Sequence, residues 1–251
     1  MEYKKEFGRQ VFNKKFVVIT IFFIALNTLQ FILNFSRGNL NSDSIYGVWI
    51  GADTASLVSD IFYFSIPILC PIILGGSYFY DIKNRIVFDR EYFKVKWLSV
   101  FLSGGLATTI PMNLNLILYH IFFKASLPRL ESQFYPINDS NPLIRIFIEF
   151  PFVYGELFII SVFIFSGFVS TLSLIITRHV DKLIIAYMFP FVLFTLLSKI
   201  LRNIDMESLD PLNTIRPWFN ESNNFIFFYI IILSLITSYL FFIKNIKKAH
   251  N

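Results

Sequence analysis

The stretch "FVYGELFIISVFIFSGFVSTLSLIIT", Phe152 to Thr177, contains a single charged side chain, Glu156. A helix that crosses the hydrocarbon core of a bilayer needs about 20 residues, each adding 1.5 Å along the axis, so this run is long enough to span a membrane. The polar segment "RHVDK", Arg178 to Lys182, separates it from a second apolar run that begins at Leu183. Two apolar runs with so short a polar link predict a helical hairpin in a membrane.

The rest of the chain has the same character. Of its 251 residues 55% are hydrophobic and 16% are charged, and the mean hydropathy is +0.60. One soluble core of this size would not bury so much apolar surface, so we expect an all-α integral membrane protein with a single membrane domain over residues 1–251. The six predicted transmembrane helices are Phe16 to Phe35, Leu57 to Phe79, Trp97 to Phe123, Phe152 to Thr177, Leu183 to Leu201 and Phe225 to Ile243. Five spans, or a re-entrant fifth segment, remain an alternative.

The distribution of basic residues predicts the orientation. The N-terminal arm, the segment after the second span, the 178–182 link and the C-terminal tail hold 15 of the 22 Lys and Arg residues, and the loops on the other side hold seven. Basic residues accumulate in the loops of membrane proteins that stay in the cytoplasm. Both termini are therefore expected to be cytoplasmic.

The first 15 residues predict a helix at the membrane surface. Tyr3, Phe7 and Val11 recur every four residues, while basic residues occupy the other faces. A basic amphipathic helix of this kind, Glu2 to Lys15, suits the inner leaflet of a membrane. A solvated, charged terminus is the alternative interpretation.

The sequence carries no recognisable catalytic constellation or metal site. Cys70 is the single cysteine, so an intrachain disulfide and a cysteine metal cluster are excluded. The histidines, His120, His179 and His250, are far apart, and the chain has no glycine-rich phosphate loop. We therefore expect no enzyme activity and no cofactor on this chain, and the charge of +5 is assigned to membrane orientation rather than to nucleic acid.

Four polar residues within the predicted spans are candidates for a substrate path. A charge at the centre of a bilayer costs about 2.5 to 3.5 kcal/mol on insertion scales, so polar residues there are often functional. The candidates are Asp60, Asn113, Asn115 and Glu156. Snorkelling of the two carboxylates to the interface, and interhelical hydrogen bonds from the two asparagines, are the alternatives.

The segment "YDIKNRIVFDREYFKVK", Tyr80 to Lys96, is unusually long and polar for a connection between two spans. Its charges are of mixed sign and surround a few apolar residues, a pattern that suits docking against a protein partner better than binding to anionic lipid alone. A simple exposed connector is the alternative.

The whole chain resembles the membrane permeases of type-2 ABC exporters. The resemblance lies in the basic interfacial helix, the six spans, the short 178–182 hairpin and the stretch "GGSYFYDIKNRIVFDREYFKVKWLSVFLSGG", Gly75 to Gly105. In that family the region after the second span forms a coupling helix that sits on the ATPase subunit. The residues that the resemblance assigns to ATPase coupling are Tyr80, Asp81, Ile82, Lys83, Arg85, Ile86, Asp89, Arg90 and Glu91, with Arg178, Asp181 and Lys182 as a second contact.

The resemblance also implies partners. It implies a separate ABC ATPase subunit that binds ATP and Mg²⁺, a second copy of this permease or a sister permease, and surrounding membrane lipid. The Phe-rich spans fit a hydrophobic peptide or lipid-like substrate. The Phe-rich, Asn- and Lys-containing sequence looks like that of a low-GC bacterium, so we expect a bacterial cytoplasmic membrane. The alternative function is a stand-alone immunity or binding protein, or an intramembrane enzyme that uses Glu156 or Asp60.

Overall fold

The computed structural model describes residues 8, 11–36, 45–50, 56–83, 90–122, 143–206, 209–215 and 224–244. In these ranges the chain forms helices and no strand. The helices are α1 (Lys14–Ser36), α2 (Ile45–Ile50), α3 (Ser56–Leu74), α4 (Ser77–Lys83), α5 (Arg90–Phe122), α6 (Ile144–Glu149), α7 (Pro151–Ile176), α8 (Leu183–Asn203), α9 (Pro211–Thr214) and α10 (Asn224–Lys244).

Five segments are long and apolar enough to cross a membrane. They are α1, the stretch Leu57–Asp81 that contains most of α3 and α4, most of α5, and the helices α7 and α8. This pattern indicates a multi-pass membrane protein. Helix α10 is 21 residues long, and its described centre, Ile230–Leu240, is apolar.

Helices α3, α5 and α7 form the centre of the bundle. Buried residues make up 56, 61 and 67% of their apolar stretches, against 33% for α1 and 22% for α8. Helix α1 packs against α3 and α5, helix α8 packs against α3 and α7, and α10 packs against α5 and α7. The outer faces of α1 and α8 carry exposed apolar side chains such as Val18 and Ile184, which lipid would cover.

The contact between α5 and α7 is built from small residues. A Cβ atom on Gly104 would lie 2.7 Å from the carbonyl oxygen of Ser166, and one on Gly167 would lie 2.5 Å from the Phe101 ring. The Thr108 hydroxyl donates to Ser166 Oγ at 3.0 Å across the same contact. Close approach over small residues, with hydroxyl hydrogen bonds, is a common way to pack helices in a membrane.

Amide side chains attach α1 to α5. Asn115 Nδ2 donates to the carbonyl oxygen of Asn27 at 2.7 Å, and Asn34 Nδ2 donates to the Tyr119 hydroxyl at 2.7 Å. All four residues are buried. Because lipid offers these groups no hydrogen-bond partner, the bonds fix the position of α1 against α5.

Contacts between side chains fix which helix ends lie together. The Lys15 ammonium lies 5.7 Å from the ring centroid of Tyr187 and 6.0 Å from that of Tyr80. The Arg178 guanidinium, which follows α7, lies 5.7 Å from the ring centroid of Tyr78 and 5.8 Å from that of Phe93, at the start of α5. The beginnings of α1, α5 and α8 therefore meet the ends of α3 and α7. We call this the hairpin end (residues 75–83, 90–96 and 177–182) and the opposite side the loop end (residues 45–50, 143–150 and 203–215).

The structure changes two of the predicted helix boundaries. The second predicted span, Leu57 to Phe79, lies within the apolar stretch Leu57–Asp81, but its helix is interrupted: α3 ends at Leu74, Gly75 and Gly76 form a turn, and α4 begins at Ser77. The third predicted span begins at Trp97, whereas the helix α5 begins at Arg90, so the charged residues before Trp97 form its first two turns.

The hairpin after α7 is as predicted, since α7 ends at Ile176 and α8 begins at Leu183. The predicted interfacial helix, Glu2 to Lys15, lies largely outside the described residues. Within its described part the Phe12 N–H donates to the Gly8 carbonyl oxygen at 3.1 Å, and Val11 is buried while Phe12 is exposed.

Candidate functional site

The short helix α4 lies at the hairpin end because two glycines let the chain turn there. The Gly75 N–H donates to the carbonyl oxygen of Pro71 at 2.8 Å, closing the last turn of α3. A Cβ atom on Gly75 would lie 2.5 Å from Ser173 Oγ, and one on Gly76 would lie 2.7 Å from the Leu183 side chain. Glycine at both positions therefore allows the turn to pack directly against the end of α7 and the start of α8.

An ion pair attaches α4 to the start of α5. Lys96 Nζ lies 2.6 Å from Asp81 Oδ2, and the Tyr92 hydroxyl donates to the same carboxylate oxygen. The Lys96 ammonium also lies 5.5 Å from the centroid of the Tyr92 ring. The Lys96 side chain is 4% exposed and that of Asp81 is 16% exposed. A pair so well shielded from water fixes the position of α4 against the first turns of α5.

The link between α7 and α8 packs against α4 and the start of α5. The Arg178 guanidinium carbon lies 5.7 Å from the ring centroid of Tyr78 and 5.8 Å from that of Phe93. Tyr78 belongs to α4 and Phe93 to α5, and their rings are 6.1 Å apart. The structure thus brings together the two segments that the sequence proposed as separate contacts with a partner.

The predicted coupling residues fall into three groups. Asp81 and Arg178 are engaged inside the protein by the contacts above. The second group is exposed at the surface and consists of Tyr80, Lys83, Asp181 and Lys182. Helix α4 includes Ile82 and the first turn of α5 includes Arg90 and Glu91, although the structure does not describe these three side chains, while Arg85, Ile86 and Asp89 lie outside the described residues.

Among the coupling residues whose side chains are described, a partner can reach the exposed group of four, Tyr80, Lys83, Asp181 and Lys182. We call it the docking group. It combines one aromatic side chain with charges of both signs, a composition suited to a polar protein interface with an aromatic centre.

The predicted path residues have different surroundings. Asn115 makes the interhelical hydrogen bond to α1, whereas Asn113 donates at 3.0 Å to the carbonyl oxygen of Thr109 on its own helix. Glu156 is half-buried on α7. Asp60 is half-buried on α3, where it lines a groove of about 480 Å³ together with Ile61, Phe64, Ser65 and Ile68. A shared path through these four residues stays a prediction.

The loop end holds a buried carboxylate that is not among the predicted site residues. Asp210 is fully buried and accepts hydrogen bonds from the Ser198 hydroxyl, from the Leu212 N–H at 2.9 Å, and from Arg202 at 3.3 Å. The signal that could have found it is the sequence "DPLN", Asp210 to Asn213, because aspartate followed by proline is typical of a helix start.

A second contact at the loop end joins α2 to α5. The Tyr46 hydroxyl and His120 Nε2 are 2.9 Å apart, and His120 Nδ1 lies 2.9 Å from the carbonyl oxygen of Leu116. Burial raises the pKa of Tyr46 above its usual value. His120, an isolated histidine in the sequence, is thus part of the packing between α2 and α5.

Across the described residues, no group of three or more His, Cys, Asp or Glu side chains is placed to bind a metal ion. Comparisons with protein-family models, with curated proteins and with solved structures find no match to this chain. Any functional conclusion therefore rests on the geometry of the two ends and of the helices between them.

Proposed function

We propose that this chain is the transmembrane subunit of an ATP-driven exporter, and that a separate ATPase subunit docks on its hairpin end. The observation that supports this proposal is the joint packing of α4, the start of α5 and the 177–182 link around Asp81, Lys96 and Arg178. This packing places α4, which carries Tyr80 and Lys83, beside the link that carries Asp181 and Lys182.

The packing offers a route for mechanical coupling. A simple connector between two spans needs no fixed geometry, but a surface that transmits a movement must be rigid and attached to what it moves. The Asp81–Lys96 pair attaches α4 to α5, and the Arg178 stack attaches the end of α7 to both. Displacement of α4 by an ATPase would therefore act directly on α5 and α7, the two most buried helices.

The proposal includes a topology and an assembly. Helix α10 is the sixth span, both termini are cytoplasmic, and the hairpin end faces the cytoplasm of a bacterium, as the excess of basic residues on that side predicts. ATP and Mg²⁺ bind to the partner ATPase. A second copy of the chain or a sister permease completes the path for a hydrophobic peptide or lipid-like substrate.

Interaction with the ATPase is tested with the tagged chain purified from its native cells in mild detergent. We expect a soluble ATPase in about equal amount by mass spectrometry, and we expect it to be lost when Tyr80→Ala and Lys83→Glu are combined. Both side chains are exposed, so the double variant should still fold. Arg145→Glu is the matched control, because Arg145 is exposed on α6 at the loop end.

The absence of any ATPase from the purified wild-type chain would instead favour a stand-alone immunity or binding protein. Binding that survives in the Tyr80→Ala, Lys83→Glu variant would place the interface elsewhere on the chain.

Orientation is tested independently with single cysteines in a Cys70→Ser background. Lys83→Cys should react with a membrane-impermeant maleimide only after the cells are opened, and Arg145→Cys should react in intact cells. Reaction of Lys83→Cys in intact cells would reverse the proposed topology.

A further inference from the structure

A cavity of about 370 Å³ lies at the hairpin end, between the start of α1, the end of α3, and the starts of α4 and α8. Its lining includes Lys14, Lys15, Ser77, Tyr80, Tyr187 and Ile73. These residues come from four different helices, so the cavity is a product of the tertiary packing.

One side of the cavity is basic and rich in hydrogen-bond donors. The Lys15 ammonium lies 5.7 to 6.0 Å from the ring centroids of Tyr187 and Tyr80, and Lys14 lies beside it in the sequence. Among the residues that the structure describes, no carboxylate forms an ion pair with either lysine. Ser77 Oγ is buried and has no hydrogen-bond partner in the same described part of the chain. Two cationic groups and a buried hydroxyl thus point to an anion with several acceptor oxygens.

The other side of the cavity is apolar. Ile73 and Leu74, in the last turn of α3, line it and are buried. The cavity therefore changes from apolar to basic where the spanning helices begin, which is the level of the lipid headgroups. Tyrosine and lysine side chains favour this level of a membrane, because their apolar parts face the acyl chains and their polar ends face water.

We infer that this cavity binds the phosphate headgroup of an anionic phospholipid. The two lysines meet the phosphate, Ser77 donates to one of its oxygens, and Ile73 and Leu74 contact the upper part of an acyl chain. A zwitterionic headgroup fits less well, because its own cation competes with the lysines for the phosphate. The inference requires only that the chain spans a membrane, so it holds for an exporter and for a stand-alone protein alike.

Native mass spectrometry of the full chain in mild detergent tests the inference. The probes are phosphatidylglycerol and phosphatidylcholine with matched acyl chains, and inorganic phosphate alone. We expect one tightly retained phosphatidylglycerol, and about fivefold weaker retention for each of Lys14→Gln and Lys15→Gln, since one basic residue near a lipid surface contributes roughly 1 kcal/mol. Lys182→Gln is the matched control, because Lys182 is exposed at the same end and does not line the cavity.

Lys15→Arg keeps the charge and should retain the lipid, which separates loss of charge from loss of folding. Equal retention of the two lipids, or unchanged retention in both glutamine variants, would overturn the inference. Inorganic phosphate that displaces phosphatidylglycerol, and whose binding is weakened by the same lysine variants, would show that the cavity binds free phosphate rather than a lipid headgroup.

Discussion

The hairpin end and the loop end of the bundle each contain an ion pair, but the two pairs bury opposite partners. At the hairpin end the cation is buried, since Lys96 is 4% exposed and Asp81 is 16% exposed. At the loop end the anion is buried, since Asp210 has no exposed side-chain surface and Arg202 is 54% exposed. The charge that must be compensated inside the protein is therefore an ammonium at the hairpin end and a carboxylate at the loop end.

The neighbours of the two buried charges differ. Asp210 has two further hydrogen-bond donors, the Ser198 hydroxyl and the Leu212 N–H, so its charge is solvated by the protein itself. Lys96 has the Asp81 carboxylate and the face of the Tyr92 ring. The hairpin end is thus the end where the loss of one side chain leaves a charge poorly compensated, and it is also the end that we propose to move.

The largest expected effect is that of Asp81→Ala. It leaves the Lys96 ammonium buried with the Tyr92 ring as its remaining described contact, and removing one member of a buried pair costs about 3 to 5 kcal/mol. Unfolding of the purified chain in detergent with increasing SDS measures the loss. Asp181→Ala, which removes an exposed carboxylate at the same end, is the control and should leave the unfolding midpoint unchanged.

Combining Asp81→Ala with Lys96→Met should recover most of this loss, because the double variant has no unpaired buried charge. A double variant as unstable as Asp81→Ala alone would mean that the carboxylate contributes through Tyr92 rather than through Lys96.

The next effect is that of Asp210→Ala at the loop end. The change leaves the Ser198 hydroxyl and the Leu212 N–H without their acceptor, while Arg202 is exposed and can be hydrated. Leaving one buried donor unsatisfied costs about 1 to 3 kcal/mol. We expect the two donors together to lower the free energy of unfolding by about 2 to 3 kcal/mol. Asp210→Asn keeps an acceptor oxygen and should lose less in the same SDS titration. Equal losses for the two variants would show that the charge matters more than the acceptor.

The glycines at the two ends provide a test of packing. A Cβ atom on Gly76 would lie 2.7 Å from the Leu183 side chain and 2.9 Å from Tyr187 Cζ, whereas one on Gly155 would lie 3.5 Å from the Trp49 ring. Gly76→Ala should therefore destabilise the chain by about 1 to 3 kcal/mol through overpacking. Gly155→Ala makes an ordinary contact inside α7 and gains helix propensity, so its thermal unfolding midpoint should stay equal or rise slightly. A neutral Gly76→Ala would show that the turn between α3 and α4 adapts easily.

The sequence predicted the helices far better than it predicted the site. Long apolar runs carry a strong signal because a spanning helix must satisfy its backbone internally and present an apolar surface to lipid. The runs after Pro151 and from Leu183 therefore coincide with α7 and α8 to within a few residues. The break at Gly75 and Gly76 was missed because apolar residues continue on both sides of it.

The partners of the polar residues could not be predicted, because they depend on which helices pack together. Asp81 was assigned to a docking surface by its position in a charged segment, and the structure shows that it pairs with Lys96. The pair Asp210–Pro211 indicates a helix start, but the burial of the carboxylate could not be predicted, because it depends on the packing of α8 against α9.

The smallest expected effect, that of Arg202→Ala, separates the two ends most sharply. The variant leaves the Asp210 carboxylate buried, just as Asp81→Ala leaves a buried ammonium, but the carboxylate keeps two hydrogen-bond donors and the lost guanidinium was half exposed. We therefore expect a loss of about 1 kcal/mol, in the range of an exposed ion pair, in the same SDS titration. A loss equal to that of Asp81→Ala would mean that neutral donors do not stabilise the buried anion, and the distinction between the two ends would then disappear. A small loss would show that the loop end does not depend on its ion pair for stability, whereas the hairpin end does.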